Sequence, residues 1–185
     1  NLYMPSIMRD FPEFHYDEMK SRAENVLTSY LQSITKQNPA LLSEGTRELK
    51  EQLRLRLEML QNQSQKESFE NIHIHRTEIH QYRKQRGRQS IVLQTAVEYF
   101  HALKENGKVI RGSEEHKEQA KYNVELVYIQ DQDMIENQED AGLGLNCPNC
   151  GAPLPGLGAK KCIYCDTPIV EYNLRVWNFS RVEEV

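Results

Sequence analysis

Apolar residues recur at helical spacing in two early stretches of the chain. From about Asp17 to Lys36, the residues Met19, Ala23, Val26, Leu27, Tyr30, Leu31 and Ile34 fall on one broad stripe. Lys20, Arg22, Glu24 and Gln32 lie away from it, as on an amphipathic helix with one buried face. Asp17 can cap its start. Asn38-Pro39 supplies a cap and a first-turn proline for a short turn through Leu42, which Gly45 ends. Thr46 then caps a second long helix to about Gln63, with Leu49, Leu53, Leu57 and Leu60 as its buried stripe and Leu55 and Met59 flanking. The lead-in from Asn1 to Phe14, broken by Pro5 and Pro12, reads as a packed or frayed segment.

After the polar run Gln61 to Gln65 the period changes. Phe69 to Arg83 alternates as a strand, with Ile72 and Ile74 on one face. Ile79 has the opposite parity, which predicts a bulge or twist between them. Arg86-Gly87-Arg88 reads as a hairpin turn. Ser90 to Leu103 is a second strand with Ile91, Leu93, Val97, Tyr99 and Leu103 on one face. Val92, Ala96 and Phe100 make its other face apolar too, so it is expected at the centre of the sheet. Glu105-Asn106-Gly107-Lys108 is a turn signal. A polar stretch from Arg111 to Glu118 leads to a third strand, about Ala120 to Gln130, in which Tyr122, Val124, Leu126 and Tyr128 alternate. The acidic stretch Asp131 to Asp140 reads as a solvated linker, and Thr167 to Ser180 as a fourth strand. Helices first and long antiparallel strands afterwards predict an α+β fold, helices packed on a curved antiparallel sheet.

The four cysteines of the chain interrupt this pattern between the third and fourth strands. Cys147 and Cys150 form one C-x2-C, and Cys162 and Cys165 a second, eleven residues further on. Zinc takes four soft ligands at tetrahedral corners, and a two-residue gap lets one tight turn offer two thiolates to one ion. The residue after the second cysteine of each pair needs a left-handed backbone, which Gly151 takes freely and Asp166 at modest cost. Pro153, Pro155, Gly156 and Gly158 make the short gap turn-rich. Two disulfides or a redox dithiol are the rival readings. The doubled spacing with no other cysteine favours one structural zinc, closed on all sides by protein.

Composition narrows the function classes. The chain has 185 residues, 38% hydrophobic and 27% charged, with a formal net charge of -4. That balance argues against a general nucleic-acid binder, which carries a positive face. No apolar run approaches the roughly 18 residues of a membrane span. Zinc thiolates favour a reducing compartment. The expected location is therefore the cytoplasmic side, and a membrane anchor ahead of Asn1 is compatible with it.

Three motifs in order carry a resemblance. Phe11-Pro12-Glu13-Phe14 precedes a long helix, Ile72-His73-Ile74-His75-Arg76 lies on the first long strand, and Val176-Trp177-Asn178-Phe179-Ser180-Arg181 comes near the end. Together they resemble the Tim-forty-four-like family, with Trp177, Phe179 and Arg181 at the positions of its Trp-x-Phe-x-Arg signature. The resemblance covers about residues 10–140 and 167–181. It implies a cone-shaped roll similar to nuclear transport factor two, over residues 10–140 and 167–185, with the zinc ribbon at 141–166 inserted between two strands. It also implies a non-enzymatic role, because mitochondrial members tether import machinery or ribosomes at the inner membrane and bacterial relatives are often membrane-anchored. A protein partner or an anionic membrane surface is the expected target, and the inserted ribbon departs from the family pattern.

Other polar features are weighed against a plain solvated surface. His73 and His75 share a strand face, and His80 is near in sequence, yet no carboxylate or cysteine at fixed spacing completes a second metal site. Arg83, Lys84, Arg86 and Arg88 form a basic run at the first hairpin, the candidate surface for acidic phospholipid. Lys160 and Lys161, with Arg175 and Arg181 beyond, are thin for nucleic-acid contact through the ribbon. No nucleophile motif or phosphate loop marks an enzyme. The alternative is a small-molecule or isomerase-like site inside the roll. A cavity where a carboxylate meets His75 or His101 would mark it, whereas an exposed apolar groove or basic face would mark a surface-binding module.

Overall fold

In a computed structural model of the protein, the described residues are 1–129, 150, 164–166 and 177–185. Among them, three helices pack on a five-stranded antiparallel sheet, the α+β class that the periodicity predicts, with one helix and one strand more than it marks. The helices are α1 (Met4–Asp10), α2 (Tyr16–Lys36) and α3 (Arg47–Asn62), with a single 3-10 turn at Pro39–Leu41. The strands are β1 (Gln65–Gln85), β2 (Arg88–Glu105), β3 (Lys108–Gly112), β4 (Glu118–Ile129) and β5 (Trp177–Glu184). Their order is β1-β2-β4-β5, and β3 also pairs with β2. The free side of β2 is thus shared: β4 takes Arg88 to Tyr99 and β3 takes Ala102 to Glu105.

Every stripe residue expected on α2 is buried, and Leu49, Leu53 and Leu60 are buried on α3. Thr46 caps α3, its hydroxyl accepting from Leu49 N at 3.2 Å, and Asn38 caps the 3-10 turn through Ala40 N at 3.0 Å. The start of α2 differs from expectation. His15 is the cap, its Nδ1 accepting from Glu18 N at 3.2 Å, while Asp17 lies inside the first turn where its charge suits the helix dipole. The lead-in also differs, since Met4 to Asp10 is helical. Pro5 sits in its first turn, where a missing N–H costs nothing, and Ile7 is fully buried. Asp10 accepts from the Tyr82 hydroxyl at 2.7 Å and pairs with Lys84 at 2.6 Å, clipping α1 to the far end of β1. Strand β3 is not among the expected strands: it runs from the last residue of the Glu105–Lys108 turn into the polar stretch that starts at Arg111, and all five of its residues are exposed, so no alternation betrays it.

The expected bulge in β1 is one of three. The β1–β2 register shifts between Glu70 and His73, Ile74 and Arg76, and Ile79 and Gln81. Each shift reverses the parity that faces the helices: Glu67 and Phe69 before the first, Ile72 and Ile74 after it, Thr77 and Ile79 after the second. Strand β2 is central, as its two apolar faces require. Ile91, Leu93, Val97, Tyr99 and Leu103 join the main core, and Val92 and Ala102 are buried outside it. Along β5, a shift at Glu125/Leu126 puts Phe179 and Val182 inward and leaves Arg181 exposed, beside Glu183. Trp177 packs on Phe11, Phe14 and Tyr128 with ring centroids 4.7 to 5.6 Å apart. Strand β5 is held from above by α3: Thr46 N donates to Phe179 O at 2.8 Å, and Gln52 donates to Val182 O at 2.5 Å.

Candidate functional site

Between α2, α3 and the sheet lies a cavity of about 490 Å³, within the range of small-ligand sites. Its polar wall is assembled from three strands and a helix. Glu67 on β1 points the same way as buried Phe69, two residues on, so strand parity carries a carboxylate into the interior. Phe69 is the register partner of His101 on β2, and the two rings stack with centroids 4.8 Å apart. Arg56 reaches in from α3.

These groups are joined in a chain. Arg56 donates to Glu67 Oε1 through Nε at 3.0 Å and also through a terminal amino group. His101 Nε2 donates to Glu67 Oε2 at 2.7 Å, and His101 Nδ1 donates to Glu118 Oε1, at the start of β4, at 3.2 Å. A carboxylate oxygen against each nitrogen favours the doubly protonated ring, in which both nitrogens donate. Burial alone would lower its pKa, but the hydrogen bond and charge of Glu67, with Glu118 behind, outweigh it and hold the ring above its ordinary 6.5. For Glu67 burial pushes upward, and the bonds from His101 and Arg56 win, holding it below 4.5. Gly112 closes β3 against this site. Its φ is +74°, and a Cβ there would stand 2.0 Å from the His101 carbonyl oxygen, so no other residue fits.

Deeper in, three phenols line the cavity. Tyr99 and Tyr122 place their hydroxyl oxygens 2.7 Å apart, and Tyr30 accepts from Gln52 Nε2 at 2.9 Å. Burial raises all three pKa values, that of Tyr99 to about 12, so all remain O–H donors at neutral pH.

The residues singled out in the sequence fare unequally. His101 does meet a carboxylate in a cavity. His75 does not: it is exposed, with Nε2 2.8 Å from Glu98 Oε2, and its ring lies 4.8 Å from that of His73. Among the described residues no three His, Cys, Asp or Glu side chains are grouped to hold a metal. The basic run is dispersed. Lys84 pairs with Asp10, and Arg88 lies 3.3 Å from Glu125 and 3.6 Å from Glu48, leaving Arg83 and Arg86 exposed without an ion-pair partner among the described residues. Of the zinc candidates, Cys147 and Cys162 lie outside the described residues; Cys150 is exposed and Cys165 half-buried. Asp166 has φ +61°, the left-handed turn expected after the last cysteine. No described helix is long and apolar enough to cross a membrane.

Glu67, Arg56 and the Tyr99–Tyr122 pair were not singled out from sequence. The usable signal was parity: Glu67 shares a strand face with Phe69, and His101 with Tyr99 and Leu103, so both polar groups stood on inward positions. Comparison with protein-family models and with curated proteins returned no match.

Proposed function

We propose that this chain is a non-enzymatic binding module, a cone-shaped roll of the Tim-forty-four-like kind whose cavity receives a small molecule. The order of helices and strands, the three bulges that bend β1 and the cavity between helices and sheet support the roll. One observation carries binding over catalysis: His101 is held between Glu67 and Glu118 with both nitrogens engaged. It has no lone pair with which to take a proton. Glu67 in turn is consumed by Arg56 and His101, and the tyrosines stay protonated. The groups that would perform acid–base chemistry neutralise one another, and what they leave is a rigid, shaped wall.

In the same reading Cys147, Cys150, Cys162 and Cys165 hold one structural zinc. Four thiolates suit that ion, and the left-handed turn at Asp166 supports a knuckle there. Tethering to an anionic surface, the role the family resemblance implies, would fall to Arg83 and Arg86, which is little charge for such a contact.

The experiment is a thermal-shift screen of small molecules against the wild-type chain and Ile34→Phe, which fills the cavity. At least one compound should raise the melting temperature of the wild type and lose that effect in the filled variant. A shift that survives Ile34→Phe refutes the site. Turnover of a bound compound that ceases in His101→Gln refutes the non-enzymatic reading.

A further inference from the structure

We infer that the cavity selects an uncharged molecule with an apolar body and one hydrogen-bond-accepting oxygen: a ketone, ester or amide. This rests on the binding reading above and names the ligand class.

Unused hydrogen-bonding capacity decides the polar end. Both oxygens of Glu67 are taken, by Arg56 and by His101. Gln52 Oε1 accepts from Val182 N at 3.3 Å, so it too is engaged. Among the buried groups, the phenols keep unused protons. Of the Tyr99–Tyr122 pair, one hydroxyl donates to the other and the second keeps a free proton; Tyr30 accepts from Gln52 and keeps its own. These phenols are at most 7% exposed, so a ligand without an acceptor would leave their unused protons buried and unsatisfied. A ligand that brings an acceptor satisfies them.

Charge decides the rest. The cavity is lined by three cations, Arg56, His101 and Arg111, and by three anions, Glu67, Glu118 and Glu184. The formal sum is zero. Arg56, His101 and Glu67 are committed to one another, and Arg111, Glu118 and Glu184 are exposed, with their charges facing water. A phosphate, carboxylate or ammonium carried inward would arrive without a counter-charge and would lose its hydration. Leu31, Ile34, Phe69 and Val182, all nearly or fully buried, supply the apolar wall for the body of the molecule.

The test uses three eight-carbon probes that differ in the head group: 2-octanone, octanoate and octylammonium. Binding to the full chain is read by saturation-transfer NMR and titration calorimetry. 2-Octanone should bind at least about tenfold tighter than either ion, since an unpaired buried charge costs far more than a hydrogen bond returns. Tyr30→Phe should weaken 2-octanone about fivefold, and the double change Tyr99→Phe with Tyr122→Phe by a similar factor, each removing one donor. The double variant removes both partners of a buried pair and so leaves no orphaned hydroxyl; Tyr30→Phe is the independent check should it fail to fold. Octanoate or octylammonium binding as tightly as the ketone overturns the uncharged class and leaves the binding reading standing. Unchanged affinity in both tyrosine variants overturns the donor assignment. Absence of binding by all three probes overturns this inference, and the reading beneath it falls only if the thermal-shift screen also finds nothing.

Discussion

Replacing Glu67 with glutamine tests the charged wall directly. The Glu67 side chain is 4% exposed, that of His101 12% and that of Arg56 38%. Glutamine keeps the shape and one acceptor oxygen. It presents an amide N–H₂ toward either Arg56 or the protonated His101, so donor meets donor, and the imidazolium loses its closest counter-charge. Removing one member of a fully buried ion pair costs roughly 3–5 kcal/mol. Arg56 is too exposed for that full figure, because water screens a guanidinium left behind. The expected loss is about 2–3 kcal/mol at roughly pH 5.5, where His101 is charged. The pH dependence gives the sharper check. The folded pKa of His101 is raised above 6.5, so its stabilisation is complete below that value and is lost as pH rises through the folded pKa. Glu67 is lowered below 4.5, so its contribution is complete above that value and is lost as pH falls through the folded pKa. The wild type should therefore hold this cluster best between those limits, with Arg56, Arg111, Glu67 and Glu118 as the charges facing the ring. At about pH 8.5 the variant should cost only about 1 kcal/mol, since His101 can then accept from the new amide. Urea denaturation at the two pH values measures both numbers. A loss under about 0.5 kcal/mol that is equal at both would show that the wall is not ionic in the way described.

Gly112→Ala should destabilise by more than about 2 kcal/mol in urea melts, because its Cβ meets backbone at 2.0 Å, whereas Gly107→Ala, with φ +81° and nothing within 4 Å, should cost about 1 kcal/mol from strain alone. Thr46→Ala should cost about 1 kcal/mol by removing the α3 cap, read as a lowered urea midpoint with an unchanged slope. Elemental analysis of the purified chain should find one zinc, and Cys147→Ser with Cys150→Ser should release it while leaving most of the far-ultraviolet dichroism; two intact disulfides and no zinc would refute the metal reading.

What was legible in the sequence was local. The α2 and α3 stripes, the Thr46 and Asn38 caps and the central place of β2 each depend on a few neighbouring residues and a fixed period. The parity change between Ile74 and Ile79 revealed one bulge because apolar residues stood on both sides of it. The other two lie between Phe69 and Ile72 and between Ile79 and Tyr82, whose parity also changes, a signal that went unused. Strand β3 escaped because all five of its residues are exposed, Val109 and Ile110 included, and α1 because two prolines looked like breaks when one of them starts a helix. The cavity depends on pairings 11, 17 and 34 residues apart along the chain, between Glu67 and Arg56, His101 and Glu118, and His101 and Glu67. Only the register of three strands brings these together, and register is set by bulges the sequence half conceals.

Among the described residues the β4–β5 ladder ends with Tyr128 opposite Trp177, so the connection between the two strands is attached to neighbours in the sheet. The separation of its two ends is fixed by the strands, whatever its length, and the entropy of closing such a connection grows only with the logarithm of that length. The position is thus a socket: a short turn or a whole small domain can be plugged in with the strands unchanged. It is also a mechanical weak line. Tension drawn through the insertion would part β4 from β5 like a zipper, one pair at a time, and not shear them together along their length. The described rung nearest the insertion is Tyr128–Trp177, where Phe11 adds its ring 4.7 Å from both. The aromatic cluster therefore stands as the clasp on that zipper, and a load on the insertion would be felt at α1 before it reached the cavity.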